Sequence, residues 1–263
     1  MTVPVIVGTA SAPPTAAGDA LPLVLGPSLG STTAVWDRAV PFLAPTHPLL
    51  RWDLPGHGSS PATVFPFSTA EIAAGVLRAA DAAGIDRFAA VGISLGGVVS
   101  LEIALAAPDR VTSITMICSL PKIATRETWL QRAADVRAMG TPFLVGGSAG
   151  RWFTPAFLEA EPEVASRVLN ALLDLDDESY ALCADALREV DLRDRVADLE
   201  MPFTIIAAEL DPIIPVTDAS AAVASARDGR LRVVDGASHL AAVERPDAVA
   251  ALVLESTQLG RHS

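Results

Sequence analysis

Phe88-Ala89-Ala90-Val91-Gly92-Ile93-Ser94-Leu95-Gly96-Gly97 is the stretch whose reading decides the fold. Its first residues form a short apolar run of strand length, and its last ones open a helical pattern that Pro108 must end. Between the two, Gly92-Ile93-Ser94-Leu95-Gly96 gives Gly-x-Ser-x-Gly, a turn tight enough that Cβ atoms on either side of the serine would collide. Short Gly-Ser-Gly segments also arise by chance in loops. A strand directly before and a helix directly after set this one apart: they hold Ser94 in a strained conformation at a sheet edge, with its hydroxyl pushed into a cleft.

Outward from this turn, short apolar runs alternate with helical patterns, which predicts an α/β fold with a mostly parallel sheet and helices on both faces. Strands are expected at residues 3–7, 21–26, 48–53, 88–92, 111–118, 203–208 and 231–235. Ser68 and Glu71 stand in capping-box spacing ahead of the apolar positions Ile72, Val76 and Leu77, and Gly84 is placed to end that helix. A final helix is expected over 247–254. Between Pro121 and Asp198 the alternation stops and the chain reads as helical and polar. This predicts an α/β core of residues 1–120 and 199–263 interrupted by a helical cap, 121–198. The first part of the cap is basic, with Lys122, Arg126, Arg132, Arg137 and Arg151 against Glu127 and Asp135, whereas 152–200 is strongly acidic. Residues 11–18, rich in Ala and Pro, read as a flexible surface loop.

A chain of 263 residues that is 51% hydrophobic but only 5% aromatic suits Ala-rich helices over buried Val and Leu strands. With a net charge of −12 and only 19 Lys and Arg, nucleic acid is excluded as a partner and anionic membrane surfaces are disfavoured. No apolar run approaches the ~18 residues of a membrane span. The first 25 residues lack the basic start and unbroken apolar core of a secretory signal. Cys118, inside an apolar run, and Cys183 read as free thiols in a reducing cytoplasm.

A serine hydroxyl needs a base, and in a strand-turn-helix setting the partners follow in the order Ser, Asp, His. Of the four histidines, His262 is next to the terminus and His47 sits in a Pro-flanked turn, so both are expected at the surface. His57, in the Gly/Pro turn Asp53-Leu54-Pro55-Gly56-His57-Gly58-Ser59, comes too early in the chain and reads as structural. His239 follows a predicted strand at the carboxyl edge of the sheet, where ligands of open α/β sheets bind. Asp211, just past the 203–208 strand, is placed to orient the imidazole, with Glu209 two residues away as the competing carboxylate. The oxyanion needs preorganised N–H donors: the Leu95 amide at the helix start, and the Ser28 amide in the turn Gly26-Pro27-Ser28-Leu29-Gly30. No metal-ligand spacing, phosphate loop or dinucleotide fingerprint is present, so neither metal nor cofactor is implied.

These residues resemble the α/β-hydrolase superfamily over nearly the whole chain, and more narrowly the 3-oxoadipate enol-lactonases. The narrower likeness rests on Gly26-Pro27-Ser28-Leu29-Gly30 with Trp36-Asp37, on Arg51-Trp52-Asp53 with Gly56-His57-Gly58, on the serine turn, and on Ser238-His239-Leu240 with Glu244-Arg245-Pro246. The cap segments Arg151-Trp152-Phe153-Thr154-Pro155-Ala156-Phe157 and Asp191-Leu192-Arg193-Asp194 add to it. Leu95 departs from the methionine common there, without consequence for a backbone donor. The resemblance implies a serine hydrolase that opens 3-oxoadipate enol-lactone in the β-ketoadipate pathway of aromatic catabolism, with the cap setting specificity. Its small-molecule substrate would then be an enol-lactone carboxylate, and an acidic protein needs local cations to hold it. Arg132, Arg137 and Arg151, with Arg126, are the candidates, and Trp129 and Trp152 the candidate pocket walls. The same triad also serves other lactones and esters, carbon–carbon bond hydrolysis and perhydrolysis, and receptors of this fold bind without turnover.

Overall fold

The computed structural model describes residues 2–11 and 20–259. The loop expected at 11–18 lies outside the described residues from residue 12 onward, as does His262. Seven strands, β1 (Gly8–Ala10), β2 (Leu23–Gly26), β3 (Leu49–Trp52), β4 (Phe88–Ile93), β5 (Val111–Ile117), β6 (Phe203–Ala208) and β7 (Gly229–Val234), form one sheet. Its order is β1-β3-β2-β4-β5-β6-β7. β1 runs antiparallel to β3, and every other pair is parallel. Strands β2, β4, β5 and β6 are buried along their whole length, which is why they read as unbroken apolar runs instead of alternating ones.

The first strand departs from expectation. Residues 3–7 hold the β-branched pattern, yet the ladder begins only at Gly8, opposite Trp52. Pro4 has no N–H to give to a ladder. The Val7 amide goes to the Ser60 hydroxyl at 2.9 Å, and the segment passes so near the helix below it that a Cβ on Gly75 would meet Ile6 and the Pro4 carbonyl. Packing against a helix occupies Pro4 and Ile6, and only Val7 touches the sheet side, its carbonyl accepting from the Asp53 amide just past β3 at 3.2 Å.

Helices α1 (Val40–Leu43), α2 (Thr69–Ala82) and α3 (Leu95–Ala106) precede β5. The α2 start is the expected capping box: Ser68 Oγ accepts from the Glu71 amide at 3.2 Å and the Glu71 carboxylate accepts from the Ser68 amide at 2.9 Å. Between β5 and β6 the chain forms α4 (Arg126–Met139), α5 (Leu144–Trp152), α6 (Pro155–Ala160), α7 (Pro162–Asn170) and α8 (Asp177–Glu189), with no strand. Then come α9 (Val216–Ala224), α10 (Ala241–Glu244) and α11 (Pro246–Leu259).

Helices α3 and α11 both pack on β5. Thr115 Oγ1 meets Ser256 of α11 at 2.7 Å, and because side chains alternate along a strand, Ile114 and Met116 point the other way. In the insertion, α4 lies along α8. It is tied to the core where the Asp176 amide donates to the Gly56 carbonyl at 3.2 Å and the Thr63 amide to Ser179 Oγ at 2.9 Å. Among the described residues, no helix is long and apolar enough to cross a membrane.

The capping box supplies a stability test of this local reading. Ser68→Ala leaves the Glu71 amide without its acceptor and is expected to cost about 1 kcal/mol. In a domain of this size that lowers the melting temperature by roughly 2–4 °C, measurable by calorimetry.

Candidate active site

Ser94 has φ 52° and ψ −117°, a region that a residue with a Cβ occupies only when its surroundings compel it. The surroundings here are two backbones in contact. A Cβ on Gly92 would lie 2.1 Å from the Gly96 carbonyl carbon and oxygen, and one on Gly96 would lie 2.6 Å from the Gly26 carbonyl carbon and the Pro27 oxygen. The strained serine is fastened from below: its amide donates to the Ile117 carbonyl at 2.9 Å, and its own carbonyl accepts from Ser119 Oγ at 2.7 Å.

Cys118, between those two anchors, connects Ser94 to the other candidates. Cys118, Asp211 and His239 bring their heteroatoms within 4.8 Å of one another, all buried. His239 Nδ1 and Asp211 Oδ2 are 2.9 Å apart, and the other Asp211 oxygen accepts from the Ile213 amide at 2.8 Å. Glu209, the competing carboxylate, is exposed and accepts from the Gly236 amide instead. Among the described residues no hydrogen bond joins Ser94 Oγ to His239 Nε2; such contacts commonly tighten only around a bound substrate. Burial, then the Asp211 carboxylate, push the Cys118 thiol well above its ordinary range, so it stands beside the pair as a neutral S–H. This three-residue cluster has the chemistry of a metal set, but its residues are 93 and 28 positions apart, and its Asp and His atoms are engaged with each other.

The expected oxyanion donors come together at the same turn. Leu95 is the first residue of α3, where a helix leaves its amide without an intrahelical acceptor. The Gly96 amide donates to the Pro27 carbonyl at 3.0 Å and pins the Gly26–Gly30 turn, with Ser28 and Leu29, beside it. Trp36 Nε1 and the Ser31 hydroxyl hold that turn from the other side through the Gly26 and Ser28 carbonyls. His57 supports it as well, so its structural reading matches its contacts. Its Nδ1 lies 2.8 Å from the Pro55 carbonyl and its Nε2 3.3 Å from the Gly30 amide. One nitrogen must donate and the other accept, which fixes a neutral imidazole. Burial lowers its pKa to about 4. His47, expected at the surface, is instead 6% exposed.

The cap candidates separate into two groups. Arg137 is held by Glu178 in a fork with both contacts at 2.8 Å and by Asp185 at 2.9 Å, and Arg126 pairs with Glu189. Neither is a free cation, which removes Arg137 from the expected substrate-binding set. Trp129 is half-buried with its indole N–H given to the Ile123 carbonyl. Arg132 and Arg151 are different. Both are half-buried, and their polar contacts are neutral: Arg132 with the Tyr180 hydroxyl at 3.4 Å, Arg151 with Ser148 Oγ at 3.4 Å. Arg151 Nε is buried without a partner. Burial, then the Arg132 cation, pull the Arg151 pKa below its ordinary value. Tyr180 lies next to both arginines and packs against the Gly26–Gly30 turn, where a Cβ on Gly30 would meet Tyr180, Trp152 and Leu172 within 3.4 Å. Sequence reading missed Tyr180, for a lone tyrosine in a helix carries no spacing signal.

A family model described as the alpha/beta hydrolase family matches residues 23–252. The chain is 30% identical to 3-oxoadipate enol-lactonase 2 of Acinetobacter baylyi, covering 86% of this chain and 84% of that protein. It is 27% identical to a putative carbamate hydrolase of Azorhizobium caulinodans, covering 88% of each. The crystal structure of the enol-lactonase from Burkholderia xenovorans superposes with a TM-score of 0.89 at 27% identity, over 96% of both chains.

The buried neutral His57 makes stability depend on pH with a definite sign. Unfolded, the imidazole takes a proton below pH 6.5; folded, it refuses one until about 4. The unfolded state therefore gains protons in that window, and stability falls as pH drops from 6.5 to about 4, by up to ~3 kcal/mol. Urea titrations between pH 7 and pH 4.5 are expected to show a slope shallower by about one proton in His57→Asn than in the wild type. Equal slopes would place the buried proton uptake elsewhere.

Proposed function

The chain belongs to the alpha/beta hydrolase family, and on that premise we propose that it is a serine hydrolase that opens 3-oxoadipate enol-lactone, or a lactone of the same anionic kind, through an acyl-enzyme. Ser94 is the nucleophile, His239 the general base and Asp211 the carboxylate that orients it. Ser94 Oγ attacks the lactone carbonyl as its proton passes to His239 Nε2. The amide of Leu95 and the adjacent amides of the Ser28–Leu29 turn receive the oxyanion. Collapse breaks the ring C–O bond and releases an enolate, which takes the proton from His239 at oxygen to give an enol that tautomerises to the ketone, leaving His239 neutral again. An enolate is a better leaving group than an alkoxide, so the demand on His239 as an acid is modest. Water then gives a proton to His239 and attacks the ester, and Ser94 regains its hydrogen as the acid leaves.

The observation that carries the choice of substrate is the pair of arginines without an acid. Two half-buried guanidiniums beside Tyr180 repel each other, and an incoming carboxylate relieves that repulsion while forming charge-assisted hydrogen bonds. A neutral ester or a carbamate offers no such compensation. The insertion that carries both arginines acts in this reading as a cap over Ser94, with Trp152 as a wall, and places the substrate carboxylate away from the reacting carbonyl. The 30% identity to an enol-lactonase supports the same choice.

Following the ultraviolet absorbance of the enol-lactone with purified protein, beside its methyl ester, a simple aryl ester and a carbamate, tests this. The enol-lactone acid is expected to give the highest kcat/KM. Arg151→Met and Arg132→Met are expected to raise KM for the acid by about 10- to 100-fold while leaving the methyl ester within about twofold, the loss of one charge-assisted contact. Arg137→Met is expected to leave both unchanged. Preference for the carbamate, or equal shifts for acid and ester, would remove the enol-lactone reading.

A further inference from the structure

Glu244 is 9% exposed, and none of the described basic side chains pairs with its carboxylate. It is satisfied entirely by neutral donors from two distant parts of the chain. Oε1 accepts from the Thr154 amide at 2.6 Å and the Thr154 hydroxyl at 3.0 Å. Oε2 accepts from the Ser238 amide at 2.6 Å. Thr154 lies in the helical insertion, two residues after Trp152, and Ser238 immediately precedes His239. Two further bonds join the same segments: Ser238 Oγ donates to the Arg151 carbonyl at 3.2 Å, and the Leu240 amide to the Trp152 carbonyl at 3.0 Å. The residues on both sides of His239 are thus fastened to 151–154, and the Glu244 carboxylate is the central fastening.

We propose that Glu244 is a positioning residue for the base, lashing the His239 loop to the segment of the insertion that carries Arg151 and Trp152. The inference rests on the reading of His239 as base and Arg151 as a substrate contact. Under it, the backbone that aims the imidazole is the backbone that presents the guanidinium, and the two are set as one rigid unit. The chemistry requires a carboxylate. Both oxygens face N–H donors, so an amide in its place must turn its NH₂ group toward either Thr154 or Ser238 and lose that bond. With an imidazole that must sit within hydrogen-bond reach of both Ser94 and Asp211, a displacement of about 1 Å costs on the order of 100-fold in rate.

The test compares Glu244→Gln with Glu209→Gln. Glu209 accepts from the Gly236 amide of the same loop, but from its exposed side and without contact to the insertion. Two readouts are taken: kcat and KM on a neutral aryl ester, which needs no arginine, and the low-field proton resonance of the His239 Nδ1–H bonded to Asp211. In Glu244→Gln, kcat is expected to fall by about 10- to 100-fold with KM within about twofold, and the low-field resonance to broaden through faster exchange with water, at unchanged circular dichroism. Glu209→Gln is expected to match the wild type in both. Should Glu244→Gln fail to fold, Thr154→Val removes one donor to the same oxygen and is expected to lower kcat about twofold to fivefold with faster exchange of that proton. Wild-type kcat and a sharp resonance in the folded variant overturn the proposal. A wild-type protein that turns over no ester or lactone would instead count against the hydrolase reading, and the resonance alone would then decide whether Glu244 holds the imidazole.

Discussion

The approach of two backbones at Gly92 and Gly96, closer than any Cβ permits, is the constraint on which the site depends. It lets α3 begin directly at the end of β4 and drives Ser94 into a left-handed conformation. It also brings the Gly96 amide onto the Pro27 carbonyl, which sets the Ser28 turn against the start of α3. Ser94 and the turns that carry the Leu95 and Ser28 amides are thus set by one contact. Strain at the serine is held by the Ile117 and Ser119 anchors at the end of the neighbouring strand, and Cys118 between them borders Asp211 and His239.

Around that rigid turn, charge is distributed unevenly. The molecule carries a net charge of −12, and in the insertion carboxylates neutralise Arg126 and Arg137. Arg132 and Arg151 are left facing the neutral groups of Tyr180 and Ser148. Long-range repulsion of an anion and short-range attraction by the two arginines act over different distances, because exposed charges are screened beyond about 10 Å whereas half-buried ones are not. Next to the Gly26–Gly30 turn, burial keeps the His57 imidazole neutral, with its Nε2 accepting from the Gly30 amide.

Much of the frame was legible in the chain because it is written locally. The Gly-x-Ser-x-Gly turn, the Ser68 and Glu71 capping box and the fully buried strands each declare themselves within a few residues. The sequence puts Asp211 and His239 each just after a strand, and the structure brings the two side chains within hydrogen-bond distance. The first strand was misplaced because the β-branched pattern at 3–7 says nothing of the helix that packs on it. His47 was expected at the surface because a Pro-flanked turn does not reveal what folds over it. The choice among the arginines was closed to sequence reading for a related reason: Glu178 and Asp185, which occupy Arg137, are more than forty positions away. Tyr180 and Glu244 likewise owe their places to contacts between segments that the sequence keeps far apart.

The proposed reaction stands on an acyl-enzyme at Ser94 formed from an anionic lactone. Rapid acid quench of purified protein during turnover of the enol-lactone, followed by peptide mass mapping, addresses it most directly. An adduct with the mass of the intact lactone is expected on the peptide that contains Ser94, abolished in Ser94→Ala. Hydrolysis of the lactone by the Ser94→Ala variant at the wild-type rate, with no adduct in either protein, would contradict it.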